Sequence, residues 1–172
     1  PIFGKAVFSY GKSLHATLEE FFKLVLNKQK NSQGDLFNSK TNTKKSKIGD
    51  LVSLQELMDL FEKTWVDEWY EDKEQKEKYY KQAKESLKKF YNQVKDQENI
   101  TEETEKPFNL KISDYTLRGV IDRIDRNEKG ELLIVDYKTG NPKEQNKLST
   151  EDKMQLLIYQ IAAEEVLKEK VN

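Results

Sequence analysis

Residues 117–140, LRGVIDRIDRNEKGELLIVDYKTG, decide the fold of this chain. The stretch reads as a β-hairpin. Leu117, Val120, Ile121 and Ile124 make the first strand apolar, and Leu132, Leu133, Ile134 and Val135 do the same for the second. Asn127-Glu128-Lys129-Gly130 between them is turn chemistry, with Gly130 able to take φ > 0 at no steric cost. Into this apolar pair are set Asp122, Asp136 and Lys138. Asp136 and Lys138 are two residues apart, so on a strand they point to one face. Asp122 lies on the facing strand, within reach of Asp136.

Two carboxylates that converge at the end of a hairpin repel, and each has a raised pKa unless a cation sits between them. A hard divalent ion with oxygen ligands removes the conflict. Mg²⁺ typically takes one or two carboxylates and completes its shell with water and phosphate oxygens. A lysine two residues from such a ligand can orient a water or hold a phosphate as a point charge. Asp-x-Lys alone is more often an exposed hairpin with solvated charges, so the surrounding residues have to decide.

Hydrophobic and charged residues each make up 35% of the 172-residue chain. That balance is poor in apolar side chains, and suits one compact core with long polar helices. The length suits one domain, or one domain carrying an insertion. Cysteine is absent, which excludes disulfides, zinc–thiolate sites and iron–sulfur clusters. No apolar run approaches the ~20 residues of a membrane span. The chain begins at Pro1 rather than at a methionine, and is read as a piece of a longer protein or a processed product. The formal net charge of −1 argues against a surface coated for nucleic acid. Its distribution says more: the three arginines, Arg118, Arg123 and Arg126, all lie on the strand that carries Asp122. Arginine is the better fork for phosphate, so these three are candidate DNA contacts.

Along the chain, a first helix is predicted from Gly11-Lys12-Ser13-Leu14-His15, with Leu14, Leu18, Phe21, Phe22 and Val25 at helical spacing. His15 is the sole histidine. It stands one turn from Glu19 beside the apolar stripe, where a packed, hydrogen-bonded core histidine is more common than a ligand. Residues 27–49 are polar and lysine-rich and read as a mobile loop. Asp50 is the candidate N-cap of a helix running to about Tyr70, and a second helix spans about 72–97. These two are read as a helical insertion over 50–100 that forms a side lobe. Pro107 to Ile112 alternates as a half-buried strand. After Asn141-Pro142, Ser149-Thr150-Glu151-Asp152 is a capping signature. It opens a last helix, with Leu156, Leu157, Ile161, Val166 and Leu167 on its expected buried side. Gln155 and Tyr159 are four apart and share a face.

Four separated features then line up: Gly-x-x-Leu-His at 11–15, Gly-Val-Ile-Asp-Arg-Ile-Asp at 119–125, Val-Asp-Tyr-Lys-Thr-Gly at 135–140 and Gln-x-x-x-Tyr at 155–159. In this order they resemble the PD-(D/E)xK nuclease superfamily. Within it they are most similar to the RecB-like nuclease domain found at the C-terminus of bacterial UvrD/Rep-type helicase–nucleases. The resemblance covers 11–26 and about 105–168, and leaves 27–100 without a motif. Ile121 stands where the name-giving pattern has proline.

The resemblance implies an α+β, restriction-endonuclease-like fold: a central, mostly antiparallel or mixed sheet flanked by helices. It implies Mg²⁺ or Mn²⁺ held by His15, Asp122, Asp136 and the backbone carbonyl of Tyr137, with no iron–sulfur cluster. Asp122, Asp136 and Lys138 become catalytic, Lys138 positioning or activating water, while Gln155 and Tyr159 orient Lys138 or contact DNA. Glu105 resembles an acidic position near the family's first strand. The activity implied is phosphodiester hydrolysis in single-stranded DNA or at DNA ends. Its setting would be recombination or repair, beside a helicase domain in the same or a partner chain, in the bacterial cytoplasm and away from membranes. Two other readings stay open: a catalytically silent nuclease fold that binds DNA or docks a protein, and a small α+β interaction domain with chance motif matches.

Overall fold

The computed structural model describes residues 5–34, 46–138 and 149–167. The chain divides into two compact units, Pro1–Asn99 and Ile100–Asn172. The α+β class expected from the sequence is the class observed.

The first unit is helical: α1 spans Ala6–Gly34, α2 Ile48–Leu51, α3 Leu54–Thr64 and α4 Lys73–Val94. Helix α1 starts before Gly11 and continues through the first residues of the stretch read as a loop. Residues 35–45 of that stretch lie outside the described residues. Leu14, Phe21, Phe22 and Val25 are buried as their spacing predicts. Phe21 meets Phe90 and Tyr91 of α4 edge to face, with ring centroids 5.9 and 6.4 Å apart, the offset geometry that aromatic quadrupoles favour. The middle helices pack on α1 within this helical unit. A row of small hydroxyl residues on α1 holds the segment that joins α3 to α4. Ser9, Ser13 and Thr17 are fully buried at four-residue intervals. The Ser9 hydroxyl donates to the Glu68 carbonyl at 2.6 Å, and Ser13 Oγ accepts from Val66 N at 2.9 Å.

The predicted Asp50 helix is broken. Ile48–Leu51 is a single turn, the chain extends at Val52, and α3 begins after Ser53. Ser53 makes a capping box: Ser53 N donates to Glu56 Oε2 at 2.9 Å and Glu56 N donates to Ser53 Oγ at 3.2 Å. The reciprocal pair satisfies donors that a helix start leaves open, which is why Ser53 displaces Asp50 as the cap. Ser53→Ala is expected to cost about 1 kcal/mol, read as a lower urea midpoint at unchanged slope.

The second unit carries the sheet. Strands β1 (Thr101–Ile112), β2 (Tyr115–Arg126) and β3 (Leu132–Val135) pair antiparallel in the order β1-β2-β3. Asn127–Gly130 forms the predicted turn, with Gly130 at φ +81° and its N–H donating to the Asn127 carbonyl at 3.0 Å. Helix α5 (Thr150–Leu167) lies on this sheet. Ser149 and Asp152 cap its start reciprocally at 3.1 Å. Phe108, Leu110, Ile121, Ile124, Leu132, Ala162 and Ala163 form the core. The predicted apolar side of α5 is corrected here: Leu156, Leu157 and Ile161 are exposed. The small Ala162 and Ala163, with Ile158, Tyr159 and Leu167, face the sheet instead, because alanines let the helix backbone approach closely. The side chain of Val166 lies outside the described residues.

Along β2 the surroundings change. Residues 115–118 and 120 are exposed, whereas Ile121, Asp122, Ile124 and Asp125 are buried. Successive side chains point to opposite faces, so β2 leaves a ribbon open on both sides and enters a region covered on both.

Candidate active site

The covered end of the hairpin positions the acidic residues. The last ladder pairs are Arg123 with Val135 and Ile124 with Ile134. One step further in the same register sets Asp122 opposite Asp136. There the ladder stops, and the Asp122 side chain takes over: its Oδ2 accepts the Tyr137 N–H at 2.7 Å. Asp122 is thereby pinned to the chain that carries the other two motif residues. Asp136 and Lys138 lie just beyond β3 and are joined by an ion pair, Nζ to Oδ2 at 2.8 Å.

Helix α5 supplies the other half. Lys138 Nζ donates to Gln155 Oε1 at 2.7 Å, and Gln155 Nε2 donates to the Tyr159 hydroxyl at 3.1 Å. The i, i+4 spacing of Gln155 and Tyr159 makes this relay possible. The Tyr159 ring meets Phe108 edge to face at 6.0 Å. Phe108 in turn pairs with Gly119 across β1 and β2, where a Cβ would lie 2.5 Å from the ring's Cζ. An aromatic laid over a strand glycine helps to pin strand register. So Asp136, Lys138, Gln155, Tyr159, Phe108 and Gly119 form one continuous chain of contacts. Motif reading found its first four members. It missed Phe108 and the seat at Gly119, although a glycine within an apolar strand signals a close approach.

Electrostatically, burial pulls the Lys138 pKa down, but its hydrogen bond to Asp136 and the attraction of that carboxylate outweigh burial and leave it raised. Lys138 therefore stands as a cation beside the carboxylate. Burial pushes the Tyr137 phenol well above its ordinary range, against a smaller lowering by Arg123, so the ring serves as a neutral packing group.

The three arginines part company. Arg123 pairs with the nearly buried Asp125, Nη2 donating to Oδ2 at 3.0 Å, and lies over the Tyr137 ring at 5.9 Å. Arg126 forks onto Glu102 at 2.7 and 3.0 Å and donates to the Gly130 carbonyl at 2.8 Å. Glu102 is the extra residue where the β1–β2 register shifts between Thr101 and Glu103. Both arginines thus hold the hairpin together. Arg118 is exposed and makes no ion pair among the described residues.

His15 is on α1, partly exposed, in the first unit. Glu105, at φ +50°, falls opposite Asp122 in the β1–β2 register. Among the described residues no three of His, Asp and Glu gather into a metal cluster. Two facing carboxylates and the Tyr137 carbonyl are nonetheless hard oxygen donors, and that set fits Mg²⁺ or Mn²⁺, which fill their remaining positions with water and phosphate oxygen. Thr139 and Gly140 of the second motif lie outside the described residues. No helix among the described residues is long and apolar enough to cross a membrane.

A family model for the PD-(D/E)XK nuclease superfamily matches residues 4–172. Comparison with curated proteins and with solved structures found no match.

Proposed function

The chain belongs to the PD-(D/E)XK nuclease superfamily, and on that premise we propose that it is a deoxyribonuclease module dependent on Mg²⁺ or Mn²⁺. The observation that carries the reading is the relay from Asp136 through Lys138 and Gln155 to Tyr159, closed by the Asp122 carboxylate on the Tyr137 amide. A hairpin whose charges were merely solvated would have no reason to hold a lysine between a carboxylate and a helix amide.

Asp122, Asp136 and the Tyr137 carbonyl would hold the ion, and the resemblance alone would add His15 to them. Bound there, a divalent ion supplies Lewis-acid activation and neutralises charge developing on phosphate. The chain's own residues do the rest. Lys138 places a fixed positive charge at the reacting centre, oriented in advance by Gln155, which lowers the cost of the phosphorane-like charge build-up. Lys138 Nζ has three donors, two of them used by Asp136 and Gln155, and the third is positioned to hold the attacking water. Tyr159 fixes Gln155. The setting we propose is a helicase–nuclease acting on single-stranded DNA or DNA ends in cytoplasmic repair or recombination.

The test is degradation of an end-labelled single-stranded oligonucleotide with Mn²⁺, Mg²⁺ or EDTA, wild type beside Lys138→Ala. Cutting that needs the ion and vanishes in the variant is the expected result. Metal binding by calorimetry without any cutting would replace the enzyme reading with a docking module. Full turnover by the variant would remove Lys138 from the chemistry.

A further inference from the structure

The open ribbon of β1 and β2 carries a surface that the catalytic relay does not use. Residues 116, 118, 120 and 122 of β2 alternate to one face, and their partners Lys111, Asn109 and Pro107 share it, since directly paired residues lie on the same side. The opposite face is the core side, with Phe108, Leu110 and Ile121 buried. The non-core face therefore runs from Asp122 past Val120 to Arg118, and then to Thr116 beside Lys111.

Every position of this run except Asp122 is open. Arg118, Lys111, Asn109 and Thr116 are exposed, Val120 is 40% exposed, and Tyr115 at the tip is 80% exposed. Arg118 and Lys111 differ from Arg123 and Arg126 in having no carboxylate partner among the described residues. A strand rises about 3.3 Å per residue, so Arg118 stands roughly 13 Å from Asp122 and the Thr116–Lys111 pair about 20 Å. Two cations spaced along one face match the backbone charge of a nucleic-acid strand. Tyr115 is one residue on from Thr116 and so alternates to the opposite face, but it ends the ribbon, where a flexible single strand leaving the face can turn over the tip and lay an unstacked base on its bare ring. A duplex, whose bases are already stacked, has no use for that ring.

We infer that this face of the β1–β2 ribbon is a single-stranded DNA track, in which Arg118 and Lys111 hold phosphates a few nucleotides from the bond cut at Asp122, and Tyr115, on the other side of the ribbon's tip, stacks on a base where the strand turns over the end. The inference rests on the nuclease reading of Asp122 but is tested apart from it. Binding of a fluorescein-labelled oligothymidine of about 20 nucleotides is followed by anisotropy in EDTA, where no metal and no cleavage enter. The chain is compared with Arg118→Glu/Lys111→Glu, with Tyr115→Ala and with Arg118→Lys.

The charge-reversed pair is expected to bind at least about tenfold more weakly, and its plot of log affinity against log salt to be shallower by about 1.4, the share of two single-strand phosphate contacts. Tyr115→Ala is expected to weaken binding without changing that slope, and Arg118→Lys to keep it. Far-UV circular dichroism of each variant checks that the exposed substitutions leave the fold in place. Unchanged affinity in the charge-reversed pair overturns the track even if the protein cuts DNA. Failure of the wild-type chain to bind the oligonucleotide overturns it too, while the cleavage assay alone decides the nuclease reading.

Discussion

Asp136→Ala is expected to lower phosphodiester cleavage at least about a thousandfold, since it removes both a ligand for the ion and the partner that orients Lys138, while the urea midpoint stays close to that of the wild type. The two carboxylates of the site differ in what else they do. Asp136 is paired with a lysine whose side chain is 59% exposed. When the carboxylate goes, Lys138 returns to water and keeps Gln155. The Asp136 side chain is itself only 10% exposed, so its removal also ends a desolvation cost, and the net loss stays at about 1 kcal/mol. Asp122 is buried, and its Oδ2 takes the buried Tyr137 N–H. Asp122→Ala orphans that donor, which costs about 1–3 kcal/mol, and frees the segment that carries Asp136 and Lys138. It should therefore lose activity and stability together. Asp122→Asn separates the two roles, because its amide oxygen still accepts the Tyr137 N–H while its charge is gone: stability is kept and cleavage is lost. The decisive comparison is the rate of oligonucleotide degradation against the unfolding midpoint for the three variants. Full turnover by Asp136→Ala would sink the assignment, and an Asp122→Asn protein as active as wild type would show that only the hydrogen bond matters.

How far the sequence could be read follows from which forces are local. The hairpin was legible because turn chemistry and alternation act within a few residues, and Gly130 takes the positive φ its place demands. The relay was legible in part, since Gln155 and Tyr159 show their common face by spacing alone. Periodicity failed on α5, where leucines at 156 and 157 outrank alanines by hydrophobicity but not by fit. A helix that must lie close to a sheet presents its smallest side chains, and which stripe does so depends on a surface far away in sequence. Two of the arginines were illegible for a similar reason. Three on one strand look like a phosphate grip, yet Arg126 is taken by Glu102, a residue brought into reach by a shift in strand register. The end of α1 was misread because a polar helix end differs little in composition from a loop. Ser-x-x-Glu at 53–56 carries the signature of the Ser53 cap, but the apolar spacing runs across Asp50 and Ser53 alike and hides the break between them.

Gly119→Val is expected to destabilise the fold by about 3 kcal/mol and to cut activity well beyond what that loss alone explains. No polar group is touched by the change, and Gly119 contacts no catalytic residue directly. The argument is steric. A Cβ at 119 would sit 2.5 Å from Cζ and 2.7 Å from Cε1 of Phe108, distances at which one of the two must move. Phe108 is only 4% exposed and lies in the core with Ile121, Ala162 and Ala163. Interiors packed to crystal density have no spare volume beside such a ring. Displacing the ring removes the edge on which Tyr159 rests, and Tyr159 fixes Gln155, which fixes Lys138. A misplacement of about 1 Å at a reacting group can cost on the order of a hundredfold in rate. Gly119→Val should thus behave as an active-site mutation delivered through the core. A second substitution makes the argument testable. Phe108→Leu alone gives up the contact with Tyr159, but in the double variant it vacates the space the valine needs. The double variant should be more stable than the sum of the single losses predicts, with a coupling of about 1 kcal/mol or more. Its activity should stay low, because the support for Tyr159 has not been restored. Additive stabilities would mean that Gly119 and Phe108 do not press on each other. Recovery of activity without the aromatic ring would mean that Lys138 is oriented by something other than this chain of contacts.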